Sequence, residues 1–264
     1  MTDADQKPES PEKGIKTGER IAKYLARAGI CSRRDAERLI AEGRVTLNGE
    51  TLESPAINVT TADEITVDGA PVGQKEPSRL WRYHKPSGLV TSHKDEQGRH
   101  TLFDQLPDYL PRVISVGRLD LNSEGLLLLT NDGGLARHLE LPATGWTRKY
   151  RVRAFGRIDQ KRLDRLQMGI TIEGVHYGAI TAVLDTDKTD GRSGVTNHWL
   201  DMTLREGKNR EIRKVLGHLG LEVNRLIRLS YGPFHLSSLQ PGEVEEVPHH
   251  ALHAALGGYF KEQN

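Results

Sequence analysis

An α+β fold, with a mostly antiparallel mixed sheet and flanking helices, is what this sequence predicts. Three observations carry the expectation. Short apolar or alternating runs recur along the chain, bounded by turns rich in Gly, Asn and Asp. Helical spacing is confined to a few short segments. No internal repeat is visible that would indicate a stacked architecture.

The chain has 264 residues, 36% hydrophobic and 28% charged, enough for one large domain or two smaller ones with ample core. A single cysteine, Cys31, excludes an internal disulfide framework and a thiolate metal cage. That suits a reducing cytoplasm. No apolar run is long enough to span a membrane, and the N-terminus lacks the apolar core of a secretory signal.

In chain order, residues 1–16 are polar and proline-containing and read as a disordered tail. Residues 17–70 form a first domain. Ile21, Leu25 and Ala28 recur at helical spacing, and Gly29 is placed to stop that helix. Ser32 with Asp35 resembles a capping box opening a second helix, whose apolar face is Ala36, Leu39 and Ile40. Val45–Leu47 reads as a strand leading into an Asn48-Gly49 hairpin turn. A further strand pair is expected near 57–59 and 64–67, then a turn at Asp68-Gly69. Residues 71–78 read as a linker.

From 79 to 247 strands and short helices alternate. Strands are expected at 80–84, 113–116, 126–129, 146–154, 180–184, 198–205 and 223–229. A Glu173-Gly174 turn divides 170–177. Asp132, Asp159 and Asn209 are placed to cap helices. Residues 186–196 read as a polar loop. The tail at 248–264 reads as a helix ending at Gly257-Gly258.

Net charge is only +1, but the basic residues cluster. Arg20, Lys23, Arg27, Arg33, Arg34, Arg38 and Arg44 face three acidic residues over the same span. On a helix–turn–helix–hairpin unit this is the footprint of a nucleic-acid binder, although a solvated helix surface would also carry such charges. The segments Ala26–Arg34 and Glu42–Glu50 resemble the αL RNA-binding domain of a small-subunit ribosomal protein and several RNA-modifying enzymes. A second cluster runs from Arg205 through Lys208, Arg210, Arg213, Lys214 and Arg225 to Arg228, a glycine turn followed by a basic helix start suited to phosphate.

The stretch Val116-Gly117-Arg118-Leu119-Asp120-Leu121-Asn122-Ser123-Glu124-Gly125, followed by Leu126 to Leu129, places a carboxylate on a loop between two apolar runs. Taken alone, Asp120 is as readily an Asx-type turn residue. Asp120 with Glu124 also fits the pair of carboxylates a glycosidase needs, but residues four apart in an irregular loop are held at no defined separation. Histidines offer no metal-ligand spacing near the carboxylate, so no metal is expected.

Taken together, Gly117-Arg118-Leu119-Asp120 with Glu124–Gly133, Lys85-Pro86-Ser87-Gly88 upstream, Lys149-Tyr150, and Glu206–Lys214 resemble the bacterial ribosomal RNA pseudouridine synthases that carry an N-terminal αL domain. Ser123 stands where threonine is usual, and Asn209-Arg210-Glu211 replaces the His-Gln of many relatives. The Asn-Arg form, with Asn224–Arg228, resembles the large-subunit pseudouridine synthase B subgroup.

The resemblance implies a pseudouridine synthase fold over 79–247 and isomerisation of a uridine in ribosomal RNA, of the large subunit by the subgroup match. It implies a cytoplasmic monomer needing no cofactor. Asp120 would be the nucleophile, Tyr150 would pack on the base, and Arg213 would be the basic partner that keeps the aspartate charged. Arg118, Lys85, Lys208 and Arg210 would bind substrate, with Leu126 and Ile212 as pocket walls. An RNA-binding or ribosome-assembly factor without catalysis is the rival reading, disfavoured by the intact trio Asp120, Tyr150 and Arg213.

Overall fold

The computed structural model describes residues 18–74, 76–186 and 196–261, so the tail read at 1–16 and most of the loop read at 186–196 lie outside the described residues. Two compact units divide between Pro77 and Ser78.

The first unit contains β1 (Glu19–Arg20), α1 (Ile21–Arg27), α2 (Arg33–Ala41), β2 (Val45–Leu47), β3 (Glu50–Thr51), β4 (Asn58–Val59), β5 (Ile65–Val67) and β6 (Ala70–Pro71). Ile21, Tyr24 and Leu25 of α1 pack on Ala36, Leu39 and Ile40 of α2. Ser32 caps α2 as expected, its Oγ accepting from the Asp35 N–H at 3.0 Å. Asn48-Gly49 and Asp68-Gly69 turn with positive φ at both residues, as two-residue hairpins require.

The expected pairing of 57–59 with 64–67 does not form. β4 pairs with β1, and β5 lies between β2 and β6. The Asp63 carboxylate closes a turn on the Thr60 N–H, and Val59 and Ile65 enter one apolar cluster instead of a shared ladder. The first two residues of the expected linker also belong here: Pro71 ends β6, and Val72 packs on the core while donating to the Ile65 carbonyl at 2.8 Å.

The second unit is built on a sheet of β7 (Leu80–Lys85), β8 (Ile114–Val116), β9 (Glu124–Thr130), β10 (Arg148–Gly156), β13 (Ile180–Asp185), β14 (Thr196–Leu204), β15 (Glu222–Tyr231), β16 (Phe234–His235) and β17 (Val244–Glu246). Its order is β13-β14-β10-β15-β9-β7-β17, with β8 on β9 and β16 on β15. β11 (Ile170–Ile172) and β12 (Val175–Tyr177) form a separate hairpin. Helices α3 (Gly133–Glu140), α4 (Gln160–Asp164), α5 (Glu211–His218) and α6 (His249–Lys261) flank the sheet. β9 and β15 run parallel, and the other ladders of the sheet are antiparallel.

β9 explains the four consecutive leucines. Leu126 and Leu128 enter a cluster with α3 and α6, while Leu127 and Leu129 enter a cluster with Trp81, Tyr83 and Leu119. A central strand buried on both faces needs an unbroken apolar run. Each such leucine contributes roughly 1.5–3 kcal/mol.

Gly125 is equally determined. It opposes Arg228 in the parallel pair, and a Cβ there would lie 2.3 Å from the Arg228 carbonyl oxygen.

The C-terminal helix breaks beside the expected Gly257-Gly258 stop and then resumes. α6 spans His249–Lys261, but Leu256 leaves helical geometry (φ −130°, ψ 22°), so two helical segments meet there at a kink. Leu252, Leu256 and Tyr259 are buried in the α3–β9 cluster, which packs the segments on both sides of the kink.

Candidate active site

β8 and β9 are an antiparallel pair, Val116 opposite Leu128, so residues 117–123 form the loop between two core strands. Its backbone is fastened at nearly every step. The Gly117 N–H donates to Glu140 Oε1 at 2.8 Å. Leu119 is buried, and its carbonyl accepts from Thr91 Oγ1 at 2.8 Å. The Leu121 carbonyl accepts from the Gly88 N–H at 2.8 Å, and the Ser123 N–H donates to the Asp120 carbonyl at 3.0 Å.

Lys85 holds the loop from within. Its side chain is fully buried, and Nζ donates to the carbonyls of Pro86, Asp120, Leu121 and Ser123 at 3.0–3.3 Å. Burial pulls its ammonium down to about 8, against the opposing pull of Asp120 and Glu124. The expected substrate-binding role therefore does not fit. Lys85 and Gly88, from the Lys-Pro-Ser-Gly segment, are fasteners of the Asp120 loop.

A cleft of about 520 Å³ opens over this loop. Asp120 lines it beside Arg118, Tyr150, Lys208, Arg210 and Ile212, so six of the expected residues meet here. Tyr150 is buried on β10, with Leu204, Ile212 and Leu226 adding apolar wall. Arg118, Lys208 and Arg210 are exposed. Lys208 pairs with Glu206 and donates to the His176 carbonyl at 2.7 Å.

Three expectations change. Asn209 does not cap α5. The capping position falls to Arg210 in the left-handed region (φ 52°), and the Glu211 carboxylate reaches back to the Lys208 N–H at 3.0 Å. That turn brings Arg210 Nη1 to 3.9 Å from Asp120 Oδ2, the ion pair the structure gives the aspartate.

Arg213 does not line the cleft. It is partly buried and donates to the carbonyls of Asn122 at 3.0 Å and Val223 at 2.8 Å, tying α5 and β15 to the loop. Burial and the neighbouring Arg210 lower its pKa, while Asp120 opposes the shift. Leu126 is core, not pocket wall, because the inward-alternating positions of β9 face α3 and α6.

Glu140, Arg148, Glu211, Arg228 and Tyr231 also line the cleft; Arg228 and Glu211 stood in the basic cluster and the family-like segment without being assigned to the site, and Glu140 and Tyr231 were not singled out in the sequence. The readable signal for Arg228 was its place in the buried alternation Leu226, Arg228, Ser230, where a charge is out of character. Burial raises the pKa of Glu211. Among the described residues no group of three or more His, Cys, Asp and Glu is gathered for a metal.

Comparison with known proteins gives a consistent result. Residues 79–218 match the RNA pseudouridylate synthase family, and residues 19–65 match the S4 domain. An uncharacterized RNA pseudouridine synthase of Rickettsia felis is 48% identical over 229 residues, spanning 87% of this chain and 96% of that protein. The ribosomal large subunit pseudouridine synthase B of Pasteurella multocida is 42% identical over 87% of this chain and 67% of its own length. A crystal structure of a pseudouridylate synthase, 24% identical, superposes with a TM-score of 0.60 over 88% of this chain and 97% of that one, a likeness of fold.

Proposed function

We propose, from the premise that this chain belongs to the RNA pseudouridylate synthase family and begins with an S4 domain, that its substrate is a uridine of large-subunit ribosomal RNA and that Asp120 is the nucleophile. The chain is an enzyme that isomerises uridine to pseudouridine in RNA. The large-subunit assignment rests on its 41–42% identity with several proteins of that name.

The observation that carries the reading is the fastened Asp120 carboxylate, set 3.9 Å from the Arg210 guanidinium in a cleft walled by Tyr150, Leu204 and Ile212. The reaction breaks the N1–C1′ bond, turns the uracil and forms a C5–C1′ bond. C5 loses a proton and N1 gains one, so composition is unchanged. Asp120 can attack ribose C1′, add to base C6, or assist a glycal route. Each route needs a charged carboxylate, and burial penalises charge unless cations stand near.

Arg210 supplies the direct pair, and the charges of Lys85 and Arg213 interact with the same carboxylate. Tyr150, a ring on the cleft wall, suits stacking on a base taken out of the RNA. The exposed Arg118, Lys208 and Arg210 suit flanking phosphates. The exposed cations of the S4 domain suit the RNA backbone.

The test is tritium release from unmodified large-subunit rRNA labelled at uridine C5. Asp120→Asn should cut the single-turnover rate by roughly 10³-fold or more while leaving RNA affinity near that of the wild type. Release that persists in the variant removes Asp120 from the nucleophile's role. Release from small-subunit rRNA alone overturns the substrate assignment.

A further inference from the structure

Arg228 is the most buried cation lining the cleft, with 4% of its surface exposed. By contrast the Arg210 and Lys208 side chains are 52% and 42% exposed. Arg228 sits in β15 opposite Tyr150 of β10, so both side chains leave the same face of the sheet. Its guanidinium is held from two sides. Nε donates to the Leu126 carbonyl at 2.7 Å. The Tyr231 ring lies 5.3 Å from it, fixed by its own hydroxyl bond to the Leu139 carbonyl at 2.8 Å and by Arg148 at 4.5 Å from the ring centroid. Nη2 is buried with no hydrogen-bond partner among the described residues.

A buried charged donor left unmatched is costly, and such groups are kept where a ligand completes them. A phosphate stays partly hydrated and suits the exposed cations. The part of a nucleotide that packs on the apolar wall of Tyr150, Leu204 and Ile212 is the base. Uracil presents two carbonyl acceptors there.

Resting on the pseudouridine synthase reading, we propose that Arg228 donates to a carbonyl oxygen of the target uracil and stabilises the negative charge that oxygen gains during the reaction. The demand for such a donor is common to all three routes. If the N1–C1′ bond breaks first, its electron pair stays with uracil and spreads over N1, O2 and O4. If Asp120 adds to C6, the pair of the C5–C6 double bond moves toward C4 and places charge on O4. In each case the charge is discharged when C5 bonds to C1′, the C5 proton leaves and N1 is protonated. A donor fixed before the reaction, in a site shielded from water, acts on this charge without reorganising.

The experiment uses the full-length chain, unmodified large-subunit rRNA labelled with tritium at uridine C5, single-turnover release at saturating RNA, filter binding and thermal unfolding. Release by the wild type but not by Asp120→Asn establishes the reading on which this rests; without it, reading and inference fall together. With it, Arg228→Ala should lose about 100-fold or more in rate, with the RNA dissociation constant within about threefold of the wild type. Arg228→Lys, which keeps a cation in the cleft, should lose about tenfold. Millimolar guanidinium should speed Arg228→Ala but neither the wild type nor Asp120→Asn.

Three outcomes would overturn the assignment while leaving the enzyme's activity intact. One is a rate within threefold of the wild type in both variants. Another is a loss of affinity equal to the loss of rate, which marks a phosphate contact. The third is an unstable Arg228→Ala together with a stable Arg228→Lys of wild-type rate, which marks a purely structural role.

Discussion

Lys85 shows how one residue converts a turn into a site. An aspartate in a loop is ordinarily free to sample several positions, and a nucleophile that must meet one atom cannot. The Lys85 ammonium removes that freedom by satisfying four backbone carbonyls around Asp120 in an interior with no exposed surface. Lys85→Met should therefore cost stability as well as rate: roughly 2–4 kcal/mol in urea unfolding, because acceptors are left unpaired, and a rate loss at saturating RNA with little change in affinity. A variant as stable and as fast as the wild type would show that Thr91, Gly88 and Arg213 hold the loop without it. The lysine was visible in the sequence, but its task was not. A lysine after an alternating strand looks like a solvent-facing charge, and only the pairing of β7 with β9, Lys85 opposite Gly125, turns it inward beneath the loop.

At the scale of elements, the start of α5 concentrates the same problem. The segment Gly207–Glu211 delivers Arg210 to Asp120 by a left-handed residue and buries Glu211, whose carboxylate accepts from the Lys208 N–H. Burial raises the Glu211 pKa above its unfolded value. With a raised carboxylate the sign is fixed: below the unfolded pKa both states are protonated and no penalty arises, and stability is lost as pH rises through the folded value. Glu211→Gln keeps the oxygen that accepts from the Lys208 N–H and removes the buried charge. The variant should be more stable than the wild type at pH 7, with the gap shrinking toward zero at pH 4; an equal gap at both would show that the charge is not what burial penalises. Local rules made most elements legible. Ser32, Asp132 and Asp159 accept from the helix N–H groups expected of them. Asn209 failed because the chain had a second candidate, Arg210 in the left-handed region, that local propensity disfavours and the ion pair with Asp120 accompanies. Arg213 was named by family resemblance, and a motif match says which residue stands near a site, not what its side chain bonds: here it donates to the carbonyls of Asn122 and Val223 beside the Asp120 loop instead of lining the cleft.

Across the whole molecule a net charge of +1 is divided into local fields, and it is the unpaired cations that a polyanion can use. In the S4 domain several are already engaged. Arg44 makes two bonds to Asp68, Arg38 pairs with Asp35 and Glu42, and Lys23 pairs with Glu19. Arg20, Arg33 and Arg34 are exposed and have no ion pair among the described residues. Arg33 and Arg34 open α2, where the helix dipole disfavours cations, so their contribution to folding is if anything negative. That separates binding from stability in one experiment. Replacing Arg20, Arg33 and Arg34 together with alanine should leave thermal unfolding unchanged or slightly raised. It should weaken RNA binding, and it should flatten the dependence of log affinity on log salt by about 2–3, roughly 0.7–0.9 for each phosphate that is no longer neutralised. The single-turnover rate at saturating RNA should stay within a few-fold of the wild type, since Asp120, Tyr150 and Arg228 are untouched. A salt slope that does not move would mean that the RNA is held by the cleft cations alone, and that the S4 domain of this enzyme is not its anchor.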